Sequence, residues 1–362
     1  MLAPSPNSRS REERPPEGGP IRIMIVDDSL VARTVMTRLL ATRPEFLIVA
    51  SVANAEQALD VVRTEWIDVV LLDLEMPGIG GLDLLPKILA ESEGAHVMIV
   101  SNTAEGQAAT VQALALGAVD VLQKPEVADF LGRFADTLAD RLTRIASSRK
   151  RGVSRPATLP PLAPQIDEEI ECLAIGASTG GLHALTELLR GLPATFRAPI
   201  LITQHLPPNF MRYFADQMAA VTQRPTHVAI DGERLMPGHV LVAPGEGHLR
   251  MIRTGNGVRV WIDKAPASSN CMPSVDPMFQ SLAHVFGRRG VAVVLSGMGR
   301  DGTVGARAVA DVSGEILVQD PETSVVWGMP GSITEAGLAS AVLPPARIAE
   351  RIMARARERS WN

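Results

Sequence analysis

Four things are scarce in this chain of 362 residues: cysteine, long apolar runs, an excess of positive charge, and repetition. Its two cysteines, Cys172 and Cys271, lie far apart and form no CxxC pair, which excludes a disulfide framework or a cysteine-rich zinc module. Both are expected to be buried thiols in a reducing compartment. No apolar stretch reaches the roughly 18 residues of a membrane span. The 35 basic and 40 acidic residues leave a net charge of −5, so no global field draws the chain to nucleic acid. The first twenty residues, MLAPSPNSRSREERPPEGGP, hold charge and proline but no apolar core, so they are not a secretory signal and read as a disordered tail, residues 1–20. No segment repeats another. A cytoplasmic protein without membrane insertion or nucleic-acid partner is expected.

What is present is the composition of a globular protein, 46% hydrophobic and 21% charged, with length for two or three cores. The sharpest break is SSRKRGVSRPATLPPLAPQIDEE, basic, then proline-rich, then acidic. Prolines at 156, 160, 161 and 164 favour an extended linker, assigned to residues 146–168, between domains at 21–145 and 169–357.

In the first domain, IRIMIV, VVLLD, HVMIVS and VDVLQK are apolar runs that end on polar residues, with helical patterns between them. One of these, LVARTVMTRLL, keeps Val31, Val35 and Leu39 on one face. Continuous apolar strands separated by helices argue for a parallel sheet covered on both sides, whose ligands sit at the carboxyl ends of the strands. Those ends supply Asp27, Asp28, Asp73, Ser101 and Lys124. Crowded carboxylates raise one another's pKa unless a cation enters, and a hard ion such as Mg²⁺ suits oxygen ligands. Helix capping by the Asp pair is the plainer alternative.

The ordered motifs VDDS, LLDLEMPGIGGLDLL, VSN and QKP resemble a response-regulator receiver domain. The resemblance implies a flavodoxin-like, five-stranded parallel sheet in which Asp73 accepts a phosphoryl group from a chemotaxis histidine kinase. It also implies Mg²⁺ held by Asp27, Asp28, Asp73 and the backbone carbonyl of Glu75, phosphoryl contacts from Ser101 and Lys124, and a cis bond before Pro125. The family often carries an aromatic switch residue three positions before the lysine. Val121 stands there, so that switch is not carried over.

In the second domain, ECLAIGASTGGLHAL places Ser178 in a G-x-S-x-G match between a strand and a helix. Small neighbours permit a sharp turn that presents the hydroxyl, and the helix N-terminus can stabilise an oxyanion. A structural turn is the competing reading. A phosphate loop fits poorly, because neither GxxxxGK[ST] nor G-x-G-x-x-G spacing is present. A serine nucleophile needs a base oriented by an acid. His205, ending APILITQH, and Asp301, in the loop after VAVVLSGMG, are the candidates at other strand ends.

Together IGASTGG, QHLPP, SVDPMF and LSGMGRDG resemble the catalytic domain of the chemotaxis protein-glutamate methylesterases, the CheB family. That implies a doubly wound α/β domain with a mainly parallel sheet, Ser178 as nucleophile, His205 as base and Asp301 as orienting acid. An oxyanion contact from the Met298 amide and a supporting hydroxyl on Thr179 are implied as well. The implied function is a phosphorylation-activated serine esterase. It demethylates glutamate methyl esters, and deamidates glutamines, on methyl-accepting chemotaxis receptors, with no cofactor in the catalytic domain. The receiver is expected to lie over the triad and block it until phosphorylated. A regulator acting on non-flagellar receptors, or one that only binds a partner, is the alternative.

Overall fold

Apolar runs of four to six residues, too short for helices and bounded by acids or glycines, can satisfy their backbone only by pairing with one another. The computed structural model, which describes residues 18–101, 106–124, 131–150 and 168–357, shows that outcome twice. The chain divides into two compact units on either side of Gly152.

The first unit alternates β1 (Ile21–Val26), α1 (Leu30–Ala41), β2 (Phe46–Val52), α2 (Ala55–Thr64), β3 (Val69–Leu72), α3 (Gly81–Glu91), β4 (His96–Ser101), α4 (Gln107–Ala115), β5 (Asp120–Gln123) and α5 (Leu131–Lys150). The strands lie in the order β2-β1-β3-β4-β5, all parallel. β3 is buried along its whole length, as a central strand covered on both faces must be. On α1 the buried positions are Met36 and Leu40, whereas Val31 is exposed, so the Val31–Val35–Leu39 face is not the one that packs. Helix α5 runs five residues past the expected domain end at 145. Leu138, Leu142, Ile145 and Ala146 form a buried seam that carries it into the segment assigned to the linker. Pro125, most of the N-terminal tail and most of the linker lie outside the described residues.

The second unit comprises β6 (Cys172–Ala177), α6 (Gly181–Arg190), β7 (Ile200–Gln204), α7 (Met211–Thr222), β8 (Thr226–Val228), β9 (Val240–Val242), β10 (His248–Thr254), β11 (Gly257–Asp263), α8 (Val275–Phe286), β12 (Gly290–Val294), α9 (Thr303–Asp311), β13 (Glu315–Gln319), α10 (Met329–Glu335), β14 (Ala341–Leu343) and α11 (Pro345–Arg357). Seven strands form one sheet, β14-β13-β12-β6-β7-β9-β8, in which every pairing is parallel. β10 and β11 make a separate antiparallel hairpin. Helices α6, α7 and α11 pack together as one group, and α8, α9 and α10 as another. From β6 the chain steps to β7 on one side and later returns to β12 on the other, so the sheet has its crossover at β6. Open α/β sheets bind ligands at that crevice.

Two close approaches set the depth of this crevice. A Cβ on Gly176 would meet Val275 of α8 at 2.6 Å, and one on Gly305 of α9 would meet the Asp276 carbonyl oxygen at 2.7 Å. Both helices therefore press against surfaces that only glycine leaves clear.

Helix α11 is basic, yet two of its arginines turn inward. Arg351 Nε lies 2.6 Å from Glu315 Oε1 and Arg355 Nη1 lies 3.1 Å from Glu315 Oε2, with Arg355 and Glu315 almost completely buried. Arg355 also donates to the carbonyls of Glu168 and Arg288, tying the start of the unit to its end. Glu315→Ala leaves buried guanidinium charge without its partner. The expected loss is about 3–5 kcal/mol from the unfolding transition of the second unit, checked by urea denaturation followed by circular dichroism.

Candidate active site

Ser178 and His205 are the first residues beyond the paired ends Ala177 and Gln204 of two adjacent parallel strands. The His205 amide donates to the Ala177 carbonyl at 3.1 Å, and Gln204 Nε2 donates to the Ser178 carbonyl at 3.0 Å, so the two strand ends hold each other. On the other flank the Ser178 amide donates to the Ser296 carbonyl at 3.0 Å, beyond the end of β12. Asp301 lies five residues further along that loop. Three neighbouring strands thus deliver serine, imidazole and carboxylate to one edge.

The carboxylate and imidazole meet directly, with His205 Nε2 2.8 Å from Asp301 Oδ2. Asp301 is 2% exposed and also accepts from Ser274 Oγ at 2.6 Å and from the Val275 amide at 2.7 Å. Burial pushes its carboxyl up, but the hydrogen bond and charge of His205, joined by Ser274 and Val275, prevail and hold it down at about 2. An ionised carboxylate only accepts, so Nε2 must carry the shared proton, and the lone pair of the neutral ring is left on Nδ1. The Ser178 hydroxyl makes no hydrogen bond to His205 among the described residues.

The turn around Ser178 differs from a strained elbow centred on serine. The left-handed residue is Gly180, with φ +75°, and a Cβ there would meet Val325 Cβ at 2.4 Å. The first helical amide, Gly181, donates to the Ser178 carbonyl at 2.8 Å and is therefore already engaged. The Met298 amide donates to no protein acceptor among the described residues. Its neighbour Gly297 is pinned by its amide to the Val326 carbonyl and by its carbonyl to the amides of Gly328 and Met329. Thr179 is buried, and its carbonyl accepts from Ser296 Oγ at 2.8 Å.

Three participants were not legible in the motifs. Ser296 bridges the loops: its amide donates to Gln319 Oε1, its hydroxyl to Thr179, and its hydroxyl oxygen accepts from Val326. His248, which no sequence motif singles out, is almost fully buried. Its Nδ1 accepts from the Ser274 amide at 2.9 Å and its Nε2 faces the Ala265 carbonyl at 2.8 Å. Cys271 is only half-buried, contrary to expectation, whereas Cys172 is fully buried. One ligand atom each of Cys271, His205 and Asp301 lie within 4.8 Å of one another.

In the first unit the sheet crosses over between β1 and β3, and the acids gather there. Ligand atoms of Asp27, Asp28 and Asp73 lie within 4.8 Å of one another. Lys124 Nζ donates to Asp73 Oδ2 at 2.9 Å and forms an ion pair with Asp27 Oδ2 at 2.8 Å. Asp73 is raised above the usual carboxylate range, chiefly by burial and in smaller part by Asp27, against the pull of Lys124. Asp27 is completely buried and shares the single Lys124 ammonium with Asp73, so three carboxylates meet one positive charge, an excess of oxygen ligands of the kind a hard cation satisfies. The donor set therefore fits Mg²⁺. Ser101 is buried at the end of β4, its hydroxyl 3.5 Å from Thr110 Oγ1. The Glu75 amide lies 3.5 Å from Asp73 Oδ1, which places its peptide beside the acids. Val121 is buried in β5, paired with Ile99.

A receiver-type unit followed by an α/β unit with a serine and a histidine–carboxylate pair at its crossover defines a response regulator with a hydrolase-like output. Similarity to known proteins narrows this. The family of CheB methylesterases matches residues 173–352, and that of response regulator receiver domains residues 23–133. A protein-glutamate methylesterase/protein-glutamine glutaminase 2 of Pseudomonas aeruginosa is 39% identical over 345 residues, covering 94% of this chain and 98% of that one. Its namesake in Caulobacter vibrioides is 40% identical, covering 93% and 99%. The crystal structure of the Thermotoga maritima CheB methylesterase catalytic domain is 37% identical with TM-score 0.50, covering 52% of this chain and 99% of that domain. The chain belongs to the CheB family of receiver-linked methylesterases. Among the described residues no helix is long and apolar enough to cross a membrane.

Ser274→Ala removes a donor to the charged form of Asp301, so its carboxyl should titrate at higher pH than about 2. Carbon-13 NMR titration of the carboxyl checks this, and an unchanged midpoint would refute the role given to Ser274.

Proposed function

We propose that this protein hydrolyses glutamate methyl esters on methyl-accepting chemotaxis receptors through Ser178, His205 and Asp301. The observation that carries the reading is the His205–Asp301 hydrogen bond at the strand edge that also presents Ser178. Ser178 Oγ attacks the ester carbonyl while His205 Nδ1 takes its proton, and the imidazolium is held at Nε2 by Asp301. The developing oxyanion is received by the Met298 amide, the donor left unclaimed beside the serine, with Thr179 supporting the turn. Collapse returns the proton to the methoxy group, methanol leaves, and water releases the glutamate by the same route in reverse. Glutamine follows the same path with ammonia as leaving group, giving a glutaminase activity.

The first unit supplies control in this reading. Asp73 accepts the phosphoryl group from a chemotaxis histidine kinase, with Lys124 and Ser101 turned to its oxygens. Asp27, Asp28, Asp73 and the Glu75 carbonyl hold Mg²⁺, which when bound offsets the charge brought together there. The unphosphorylated receiver restrains hydrolysis, and phosphorylation relieves the restraint.

Ser178→Ala is expected to lower methanol release from methyl-labelled receptor membranes by about 10⁴-fold or more. Because a histidine base must first lose its proton, the native rate rises across roughly pH 6–8. Asp301 stays ionised over that whole range, its carboxyl lying at about 2. A rate flat across that window, or a Ser178→Ala variant with native turnover, would defeat the triad.

For control, a small phosphodonor should raise the native rate only when Mg²⁺ is present. Asp73→Asn should abolish that response, and removal of residues 1–150 should raise the basal rate. A truncated protein no faster than the unphosphorylated chain would remove the inhibitory role and leave the chemistry standing.

A further inference from the structure

Cys271 has no part in the hydrolysis just described, yet its sulfur lies at the catalytic pair. It sits in the connection between β11 and α8, where its amide donates to Ser269 Oγ at 3.3 Å and Ser269 Oγ donates to Ser274 Oγ at 3.0 Å. Ser274 in turn donates to Asp301. The network that orients the carboxylate therefore also places the thiol. The thiol itself is only loosely engaged, 3.7 Å from the Ser269 carbonyl oxygen of its own loop.

We propose that His205 Nε2, Asp301 and Cys271 form a binding site for a thiophilic divalent cation of the Zn²⁺ class, and that occupancy switches the esterase off. One ligand atom of each residue lies within 4.8 Å of the others, and the three residues come from three different loops. Zn²⁺ takes thiolate, imidazole and carboxylate at about 2.0–2.3 Å, and three protein ligands with an open fourth position are a familiar arrangement for it. Tetrahedral ligation asks the three atoms to surround a common centre. Nε2 and Oδ2, now 2.8 Å apart, open by about half an ångström to admit the ion, and the Cys271 sulfur exchanges its 3.7 Å contact with the Ser269 carbonyl oxygen for the metal. Mg²⁺, which prefers oxygen alone, is not a competitor at this site, just as the all-carboxylate cluster of the first unit is not the better zinc site.

Inhibition follows from proton bookkeeping. The cation displaces the thiol proton to solvent and takes the Nε2 position, and the ring proton moves to Nδ1. One proton is released per ion bound, and the imidazole remains neutral. Nδ1 then carries hydrogen and cannot accept the proton of Ser178.

The test uses the full-length protein with Mg²⁺ in excess throughout, so that the receiver acids are saturated with the hard ion. Zn²⁺ is expected to inhibit ester hydrolysis, with a midpoint raised at least about tenfold in Cys271→Ser, each protein being compared with its own metal-free rate. Co²⁺ should give the native protein a thiolate-to-cobalt charge-transfer band and the visible bands of a tetrahedral site. Ser178→Ala, inactive but with all three ligands, should keep these bands, and Cys271→Ser should lose them. Absence of the charge-transfer band in the native protein, or equal zinc sensitivity of native and Cys271→Ser enzymes, overturns the proposal. The inhibition measurement rests on the esterase reading and the cobalt spectra do not, so failure of one is distinguishable from failure of the other.

Discussion

A carboxylate that stays charged where water scarcely reaches it is the condition on which the second unit depends. Asp301 is 2% exposed, and an isolated anion at that depth would take up a proton. It remains an anion because an imidazole, a hydroxyl and a backbone amide converge on its two oxygens. Once the charge is fixed, the tautomer of His205 is fixed too, and with it the nitrogen that keeps a lone pair. The neighbouring acid behaves in the opposite way. Asp276, two residues beyond Ser274, is pushed up to about 6, first by burial and further by the charge of Asp301, against the pull of the α9 amides, among them Gly305 at 2.8 Å. Two acids of one cluster thus divide the work: one keeps its charge for His205, and the other anchors a helix.

That arrangement survives only if the strand ends and loops around it are closely pressed together. The glycines accomplish this by subtraction. Gly297 packs so near Ser178 that a Cβ would stand 2.9 Å from the serine Cβ, and Gly180 takes the left-handed conformation that lets the chain turn into α6. A motif read as permission for a sharp turn is thus also a motif for close contact between β6, α6 and the Ser296–Met298 loop. The conformational burden falls on glycine, the residue best able to carry it.

Much of this was legible in the residues themselves, for a reason specific to parallel sheets. Strands such as VVLL and CLAIGA are buried on both faces, so their boundaries are sharp, and the first polar residue past each one marks the functional edge. Asp73, Ser178, His205 and the loop bearing Asp301 could be located this way. Elements with one wet face were harder. β2, with a mixed burial pattern at the sheet edge, and the β10–β11 hairpin lack that contrast. Side chains that act through another residue were harder still. His248 shows no local sign of its tie to Ser274, and Cys271 reaches the His205–Asp301 pair only through a fold that unites residues distant in sequence. On α1, periodicity alone chose the wrong face, since any amphipathic pattern offers more than one apolar line and only packing decides between them.

The two units place acids at the same topological position, the crossover of a parallel sheet, and obtain different chemistry from it. In the first, three carboxylates face one ammonium, which Asp27 and Asp73 share. Such a site is electrostatically incomplete, as the proposed Mg²⁺ and phosphoryl chemistry would require. In the second, one carboxylate is met by enough neutral donors to need no cation, so its charge is free to stabilise an imidazolium when one forms. The difference lies in the count of donors against acids, not in the fold. It also explains why a lone thiol beside the second site matters: it adds the one ligand type that could turn a complete hydrogen-bonded pair into a metal centre.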